Sequence, residues 1–558
     1  MFYEYKICGS CIWSGAVIDD TELNKNIQRY SIALEKYRNG DCPVALRLSR
    51  GIQAVYCMLA LLERGIPFLN IDKKIPSQRV EYMLETVEAQ YLITDEEVEY
   101  EGVKTVPIKE LEVTSEVVCE TGKLSDIAYY MCTSGTTGRP KAVKVLRAGL
   151  HNFFKGMAMI FPFEKQMRIV NITSYSFDIV FLELLFSLYN GLSVAITSEE
   201  DVASVRALMG FIEQSSIEIV QMTPSRLRMI QLIDSDLKCL DHVKYLLIGG
   251  EAFPKELLPV LQKKDLRIFN MYGPTETTIW STVSELTKAE TVDVGRPILN
   301  TSIYIVDDNN RVCENGKEGE ICIGGAGLSA GYANNSEATK RAFIQINEGG
   351  VHERVYKTGD IGMLDNQGIL HCFGRLDNQI KLNGNRIELE DINKNIMDTG
   401  MVIGATTCFD KENNRLVTFY LNDSVIDSAD LAGRLRESLP ETMIPKHYAK
   451  VDNFKYTVSG KIDMRAMLSA IDSEDDKGQK PLNEESKNAF YEIMKRYVSV
   501  SFDETSKLED LISDSITFVQ LMVDFEEAYS FEFDAEALVE SKYPSVSDLY
   551  SYVKKLIA

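Results

Sequence analysis

Short apolar runs closed by glycine or proline alternate here with longer apolar stretches of helical period, and this most narrows the folds open to the chain. Ala54–Leu62 reads as a buried helix and is followed by Pro67–Ile71 as a strand. Ile127–Met131, Glu218–Met222 and Tyr245–Ile248 are further strand-like runs, the last two closed by Pro224 and Gly249. A parallel strand buried on both faces reads as a continuous apolar run, and it needs a crossover, usually a helix, to reach the next strand. The alternation therefore predicts α/β layers with mostly parallel sheets over the first three quarters of the chain. Ile179–Ile196 fits a buried helix followed by a strand, since Glu183, Asn190 and Gly191 interrupt it. The apolar segment Ile7–Ile18 has no basic flank or cleavage signal, so neither a targeting segment nor a membrane span is expected.

A chain of 558 residues is long enough for three to four folding units. A second unit is expected from near Asp377 to about residue 470, followed by the polar, aperiodic Ser473–Pro481, which has linker composition. From Glu484 onward the chain is helical in pattern and acidic, with 16 acidic and 7 basic residues. Over the whole chain 60 lysines and arginines stand against 83 acids, a net charge of −23. That balance argues against nucleic acid or an anionic membrane as a partner, because both select basic surfaces. Eleven cysteines without framework spacing read as reduced thiols in the cytoplasm. Cys8 and Cys11 have no second pair nearby with which to complete a zinc site.

The strongest local signal is Thr133-Ser-Gly-Thr-Thr-Gly-Arg-Pro-Lys141, directly after a strand-like run. Its glycines allow a tight turn that aims N–H groups at an anion, its hydroxyls add donors and Lys141 adds charge. The spacing is not that of a Walker loop. Further along stand Asn270-Met-Tyr-Gly-Pro-Thr-Glu276, Tyr356-Lys-Thr-Gly-Asp360, Gly374-Arg-Leu-Asp377 and Ser459-Gly-Lys461. Alone, each of these last four reads as an ordinary turn.

Together and in this order, the strings resemble the adenylate-forming superfamily, and specifically the adenylation domains of nonribosomal peptide synthetases, from about residue 13 to 470. The resemblance implies a large α/β N-terminal core with layered sheets over 1–376 and a small, mobile α+β subdomain over 377–470. It further implies a linker over 471–483 and an all-α four-helix carrier over 484–558. It also implies roles for matching positions. Thr133, Ser134, Gly135, Thr136, Thr137 and Lys141 would hold the ATP phosphates. Gly250, Glu251, Asn270, Tyr272, Asp360 and Arg375 would surround adenine and ribose. Glu276 would help hold Mg²⁺, Asp377 would be the hinge and Lys461 the catalytic cation. Adenylation brings a carboxylate onto the α-phosphorus, so cations and positioned donors supply most of the catalysis. The sequence departs from the family at Glu63, Arg64, Ala142 and Asn383.

The same resemblance carries over a substrate pocket of Asp178, Ile179, Leu182, Gln221, Leu247, Gly249, Met271, Ile279 and Trp280, together with Lys461. Asp178 would pair with an ammonium and Lys461 with a carboxylate, which defines an α-amino acid. The bulky remainder is similar to the glycine-selective set, with Met271 where leucine is more usual. A filled pocket rejects added methyls by clash, and alanine is the competitor.

Asp514-Ser515-Ile516 precedes Phe518, Leu521, Met522 and Phe525 at helical spacing, and serine after aspartate at a helix start would by itself be a cap. Downstream of an adenylation domain this string resembles a peptidyl carrier protein, although Ile512-Ser513 replaces the usual glycines. Ser515 would then carry 4'-phosphopantetheine, attached by a phosphopantetheinyl transferase. Separate condensation or other downstream synthetase proteins would form and release the product. Gly327-Leu-Ser-Ala-Gly331 matches a hydrolase elbow on paper, but it falls inside a turn motif of the same family. A carboxylate–CoA ligase and a non-catalytic carrier or interaction scaffold are the competing functions. Asp178 and the carrier string weigh against the first, and Lys461, Glu276 and Asp360 against the second.

Overall fold

The computed structural model describes residues 6–112, 122–133, 140–348, 351–376, 379–382, 385–410 and 415–455. Beyond these it describes 462, 464, 466–468, 490–491, 493–495, 498, 502–503, 506–511, 521–522, 525, 543 and 545–557. Contacts divide the chain into two units. The first comprises Met1–Arg226, Lys238–Thr399 and Ala429–Ile444; the second comprises Leu227–Leu237, Gly400–Ser428 and Pro445–Ala558.

Two large, mainly parallel sheets form the first unit. In one, the strands Arg267–Tyr272, Tyr245–Gly249, Ile219–Met222, Arg168–Asn171, Ser193–Ile196 and Ser10–Trp13 run parallel, with antiparallel strands added at both edges to make nine. In the other, Lys104–Pro107, Tyr91–Thr94, Val44–Arg47, Phe68–Asn70 and Ile127–Thr133 run parallel, and Lys141–Leu146 closes the six antiparallel to the last of these. The expected runs are all there, lengthened or trimmed by a residue or two at their ends. The helix around Ala54–Leu62 spans Ile52–Arg64 and ends at Gly65, whose φ of 63° is the left-handed cap that favours glycine. Its residues Ala54–Leu62 are all buried, as an all-round apolar helix requires. Ile179–Ile196 holds a π-helical turn at Leu182–Phe186, a short helix at Ser187–Tyr189 and the strand Ser193–Ile196.

The unit also holds a five-stranded antiparallel sheet. Val351–Leu364 is its longest strand, pairing with Gly319–Gly325, Phe343–Glu348 and Leu370–Arg375. The hairpin Gln379–Leu382 with Asn385–Glu388 follows. Arg79 pairs with the fully buried Asp391 at 3.3 Å. Ser329, the serine of the hydrolase-like string, is wholly buried, and its hydroxyl accepts from the Gly331 amide, so it is no exposed nucleophile.

In the second unit the strands Gly404–Asp410, Arg415–Leu421 and His447–Lys450 form a small sheet over Cys408, Val417, Phe419 and Met467. A separate apolar cluster joins Phe490, Met494, Leu508, Leu521, Met522, Phe525, Val546, Leu549 and Val553, with Phe490 and Phe525 stacked at 4.7 Å. Of the four helical-period residues noted in the sequence, Leu521, Met522 and Phe525 are buried there, and Phe518 lies outside the described residues. No described helix is long and apolar enough to cross a membrane.

Candidate active site

In parallel α/β sheets the loops leaving the carboxyl ends of the strands build the ligand site. A cavity of about 400 Å³ lies at such ends in both large sheets. Asn70 ends one strand with Asp72 just beyond it, Met131–Thr133 end another, Gly250 follows a third and Tyr272 ends a fourth. Nine of the residues singled out in the sequence line it: Thr133, Asp178, Ile179, Gly250, Tyr272, Ile279, Trp280, Asp360 and Arg375. Asn270 and Met271 lie on the strand Arg267–Tyr272 rather than in a loop, because the parallel neighbour Tyr245–Gly249 extends the ladder to Met271.

One wall is a buried polar triad. The antiparallel register sets Asp360 opposite Arg375, and the guanidinium donates to Asp360 Oδ1 at 2.7 Å. The Tyr272 hydroxyl donates to Oδ2 at 2.6 Å, while the Thr358 hydroxyl takes the Asp360 amide at 3.0 Å. Burial and the adjoining Asp360 carboxylate push the Tyr272 phenol well above its ordinary value, so it stays a donor. A carboxylate held between a cation and a phenol keeps lone pairs for hydroxyl groups, which suits a ribose.

Asp178, Ile179, Ile279 and Trp280 form another part of the lining. Asp178 is 6% exposed, and its Oδ2 is buried without a hydrogen-bond partner. Burial, with Glu276 nearby, pushes its carboxyl up to about 6, against the hydrogen bond from Thr275. Ile279 and Trp280 are almost fully buried beside it. A methyl placed on Gly249 would come within 2.6 Å of the Trp280 ring and 2.7 Å of the Met271 carbonyl oxygen, so only glycine lets the indole sit there. Thr278 and Ile279 hold φ of 66° and 69°, a left-handed pair in which a β-branched residue is strained. The Thr278 hydroxyl anchors that turn on the Gly327 carbonyl at 2.6 Å. Leu182, Gln221, Leu247, Gly249 and Met271 stand behind the lining rather than in it.

The other predicted residues are placed as follows. Thr133 and Lys141 face each other across two antiparallel strands, while Ser134, Gly135, Thr136 and Thr137 lie outside the described residues. Lys141 Nζ stands 5.7 Å from the Tyr332 ring centroid. Glu276 is 1% exposed and accepts from the Tyr332 hydroxyl at 2.8 Å. Asn270 donates to the Asp293 carbonyl at 2.7 Å, and the Glu251 carboxylate accepts from the Ser225 amide at 3.0 Å. Asp377, Lys461 and Ser515 lie outside the described residues. Sequence reasoning did not single out Asp72, Lys74, Arg79, Thr275 and Thr358, which also line the cavity. For Asp72 a signal existed, since it closes the Pro67–Ile71 strand; for Arg79 none did.

A family model described as AMP-binding enzyme matches residues 16–333. A dimodular nonribosomal peptide synthase of Bacillus subtilis is 33% identical over 464 residues, covering 80% of this chain and 19% of its own length. The chain spans half or less of the length of the curated relatives it matches. Two solved structures align over nearly all of this chain. One is a nonribosomal peptide synthetase protein with adenylation and carrier domains, at 23% identity and a TM-score of 0.73, covering 98% of this chain and 93% of that one. The other is a four-domain synthetase bound to AMP and glycine, at 26% identity and a TM-score of 0.62, covering 99% and 42%. This chain belongs to the AMP-binding enzymes, the ATP-dependent adenylate-forming ligases, and resembles within them the adenylation and carrier segments of nonribosomal peptide synthetases.

Proposed function

We propose that this protein activates glycine with ATP as glycyl-adenylate and loads it onto a phosphopantetheine thiol carried by Ser515. One observation carries the substrate reading: the buried, unpartnered Oδ2 of Asp178 borders a space closed by Ile279 and Trp280. An uncompensated carboxylate oxygen in such a place calls for a cation, and an α-ammonium is the one a ligase substrate brings. The bulky Ile279 and Trp280 side chains in the lining favour a small amino acid over a large one. The structural relative solved with AMP and glycine supports the same choice.

In the first step a substrate carboxylate oxygen attacks the α-phosphorus of ATP and the bond to pyrophosphate breaks. Asp360, Tyr272 and Arg375 would orient the ribose, the segment from Thr133 to Lys141 the phosphates, and Lys461 the two reacting anions. Glu276 would help hold Mg²⁺, which when bound supplies positive charge beside the phosphates. For the second step Ser515 would carry the phosphopantetheine arm, whose thiol would accept the acyl group. A C–S bond would replace the bond to AMP, which would leave with the electron pair, and the thiol proton would pass to solvent. The division into 1–376, 377–470, 471–483 and a four-helix carrier over 484–558 belongs to this proposal, as do the transferase and the downstream synthetase partners.

ATP–pyrophosphate exchange with a panel of amino acids tests the reading. It is expected to peak on glycine, with alanine next; a peak on any larger residue overturns the substrate assignment. Absence of exchange with every amino acid would favour the non-catalytic scaffold.

A further inference from the structure

Behind the pocket wall lies a chain of hydrogen bonds. Glu183 is fully buried, on the π-helical turn Leu182–Phe186. Its Oε2 accepts from Asn171 Nδ2 at 2.8 Å and from the Ile172 and Thr173 amides at 3.0 and 3.1 Å. Its Oε1 accepts from the Thr173 hydroxyl at 2.5 Å and from Gln221 Nε2 at 3.0 Å. Gln221 spends its other N–H on the Ile179 carbonyl at 3.1 Å, and its Oε1 accepts from the Trp280 indole at 3.2 Å. Trp280 in turn lines the cavity and lies over Gly249.

The direction of this chain is set by chemistry. An indole nitrogen can only donate, and a carboxylate can only accept. The amide between them satisfies both in one orientation alone, with its NH₂ toward Glu183 and its oxygen toward Trp280. Reversing the amide would set N–H against N–H at the indole and oxygen against oxygen at two places. The two backbone amides from Ile172 and Thr173 hold the carboxylate itself still. The anchor is thus tied to main chain next to the parallel strand Arg168–Asn171, and the indole inherits that rigidity.

We infer that Glu183 is the positioning residue for substrate size: acting through Gln221, it holds the Trp280 ring where an added methyl on the substrate would clash. The inference rests on the small-amino-acid reading above. It predicts that exclusion is lost when the polarity of the chain is broken, even with every pocket-lining residue intact. In Glu183→Gln, the new amide must turn its oxygen toward the two backbone N–H groups, which leaves its NH₂ facing the NH₂ of Gln221.

The test uses the full chain and a double-mutant cycle of Glu183→Gln with Trp280→Phe, since phenylalanine has no N–H to receive the signal. The readout is the ratio of kcat/KM for the preferred amino acid to that for its homologue one methyl larger. Glu183→Gln is expected to reduce this ratio about tenfold, at the low end of what one methylene is worth in a pocket. In the Trp280→Phe background the same change is expected to leave it unaltered. Equal losses for both amino acids, or the same loss of ratio in the Phe background, would show a merely structural role and overturn the inference. Tryptophan emission gives a readout independent of substrate identity. The chain has two tryptophans, and with Trp13→Phe as background only Trp280 reports. Its emission is expected to shift in Glu183→Gln; unchanged emission overturns the inference. If Glu183→Gln does not fold, Gln221→Leu takes its place with the same expectations. Wild type that prefers a larger amino acid would defeat the glycine reading but leave this cycle and the emission shift to decide the role of Glu183.

Discussion

Asp178 shows how a residue proposed to bind substrate can be costly to the fold that holds it. Its carboxyl rises from 3.8 to about 6 chiefly because burial strips it of water. The folded protein therefore binds this proton more tightly than the unfolded chain does. The stability contribution is fully present below about 3.8 and is lost as pH rises through about 6. Asp178→Asn is expected to stabilise the substrate-free protein at pH 8 by about 1–3 kcal/mol, seen as a higher melting temperature. The same variant is expected to lose about 10²–10³ in kcat/KM for the amino acid, because the buried ammonium then has no counter-charge. In wild type, kcat/KM for the amino acid is expected to fall as pH drops below about 6, where the carboxylate is no longer ionised. A flat profile between pH 5 and 8 would remove Asp178 from ammonium binding.

At the scale of elements, the pocket depends on how closely two neighbouring parallel strands let a side chain approach. Gly249 ends Tyr245–Gly249, and Met271 pairs with it from Arg267–Tyr272. A methyl on Gly249 would meet both the Trp280 ring and the Met271 carbonyl, and a backbone atom cannot swing aside as a flexible side chain can. Gly249→Ala is expected to cost about 1–3 kcal/mol through overpacking and to lower the melting temperature. The indole must move with it, so the exchange rate with glycine is expected to fall too. Stability and activity both at wild-type level would show that the Trp280 seat is looser than the structure has it. The left-handed Thr278–Ile279 turn follows Arg267–Tyr272 in the chain and carries Ile279 and Trp280 into the lining at the cost of strained β-branched residues.

For the molecule as a whole, the proposal separates activation from loading. Lys461→Ala is expected to cut ATP–pyrophosphate exchange by about two to three orders of magnitude, the range for removing a key electrostatic group. Ser515→Ala is expected to leave exchange intact while abolishing both the mass added by coenzyme A with a transferase and the capture of labelled glycine. Loading that survives in Ser515→Ala would place the arm elsewhere.

What the sequence determined by itself was the class of fold and the order of its strands and helices, because apolar periodicity and glycine or proline breaks act over a few residues. Two polar strings were legible for the same reason: Thr133–Lys141 and Tyr356–Asp360 carry their chemistry in contiguous residues, although the second lies on the strand Val351–Leu364 and not in a turn. Asp178, Ile279 and Trp280 were legible only through resemblance, since nothing local marks them. Tertiary structure alone decided that Asp178 is desolvated, that Tyr272 and Arg375 share Asp360, and that Glu183 reaches Trp280 through Gln221. Arg79 and Asp391, 312 residues apart in sequence, meet for the same reason. Desolvation and hydrogen-bond polarity depend on every group within a few ångströms, whichever part of the chain supplies it, and so they exist only once the strands have been brought side by side.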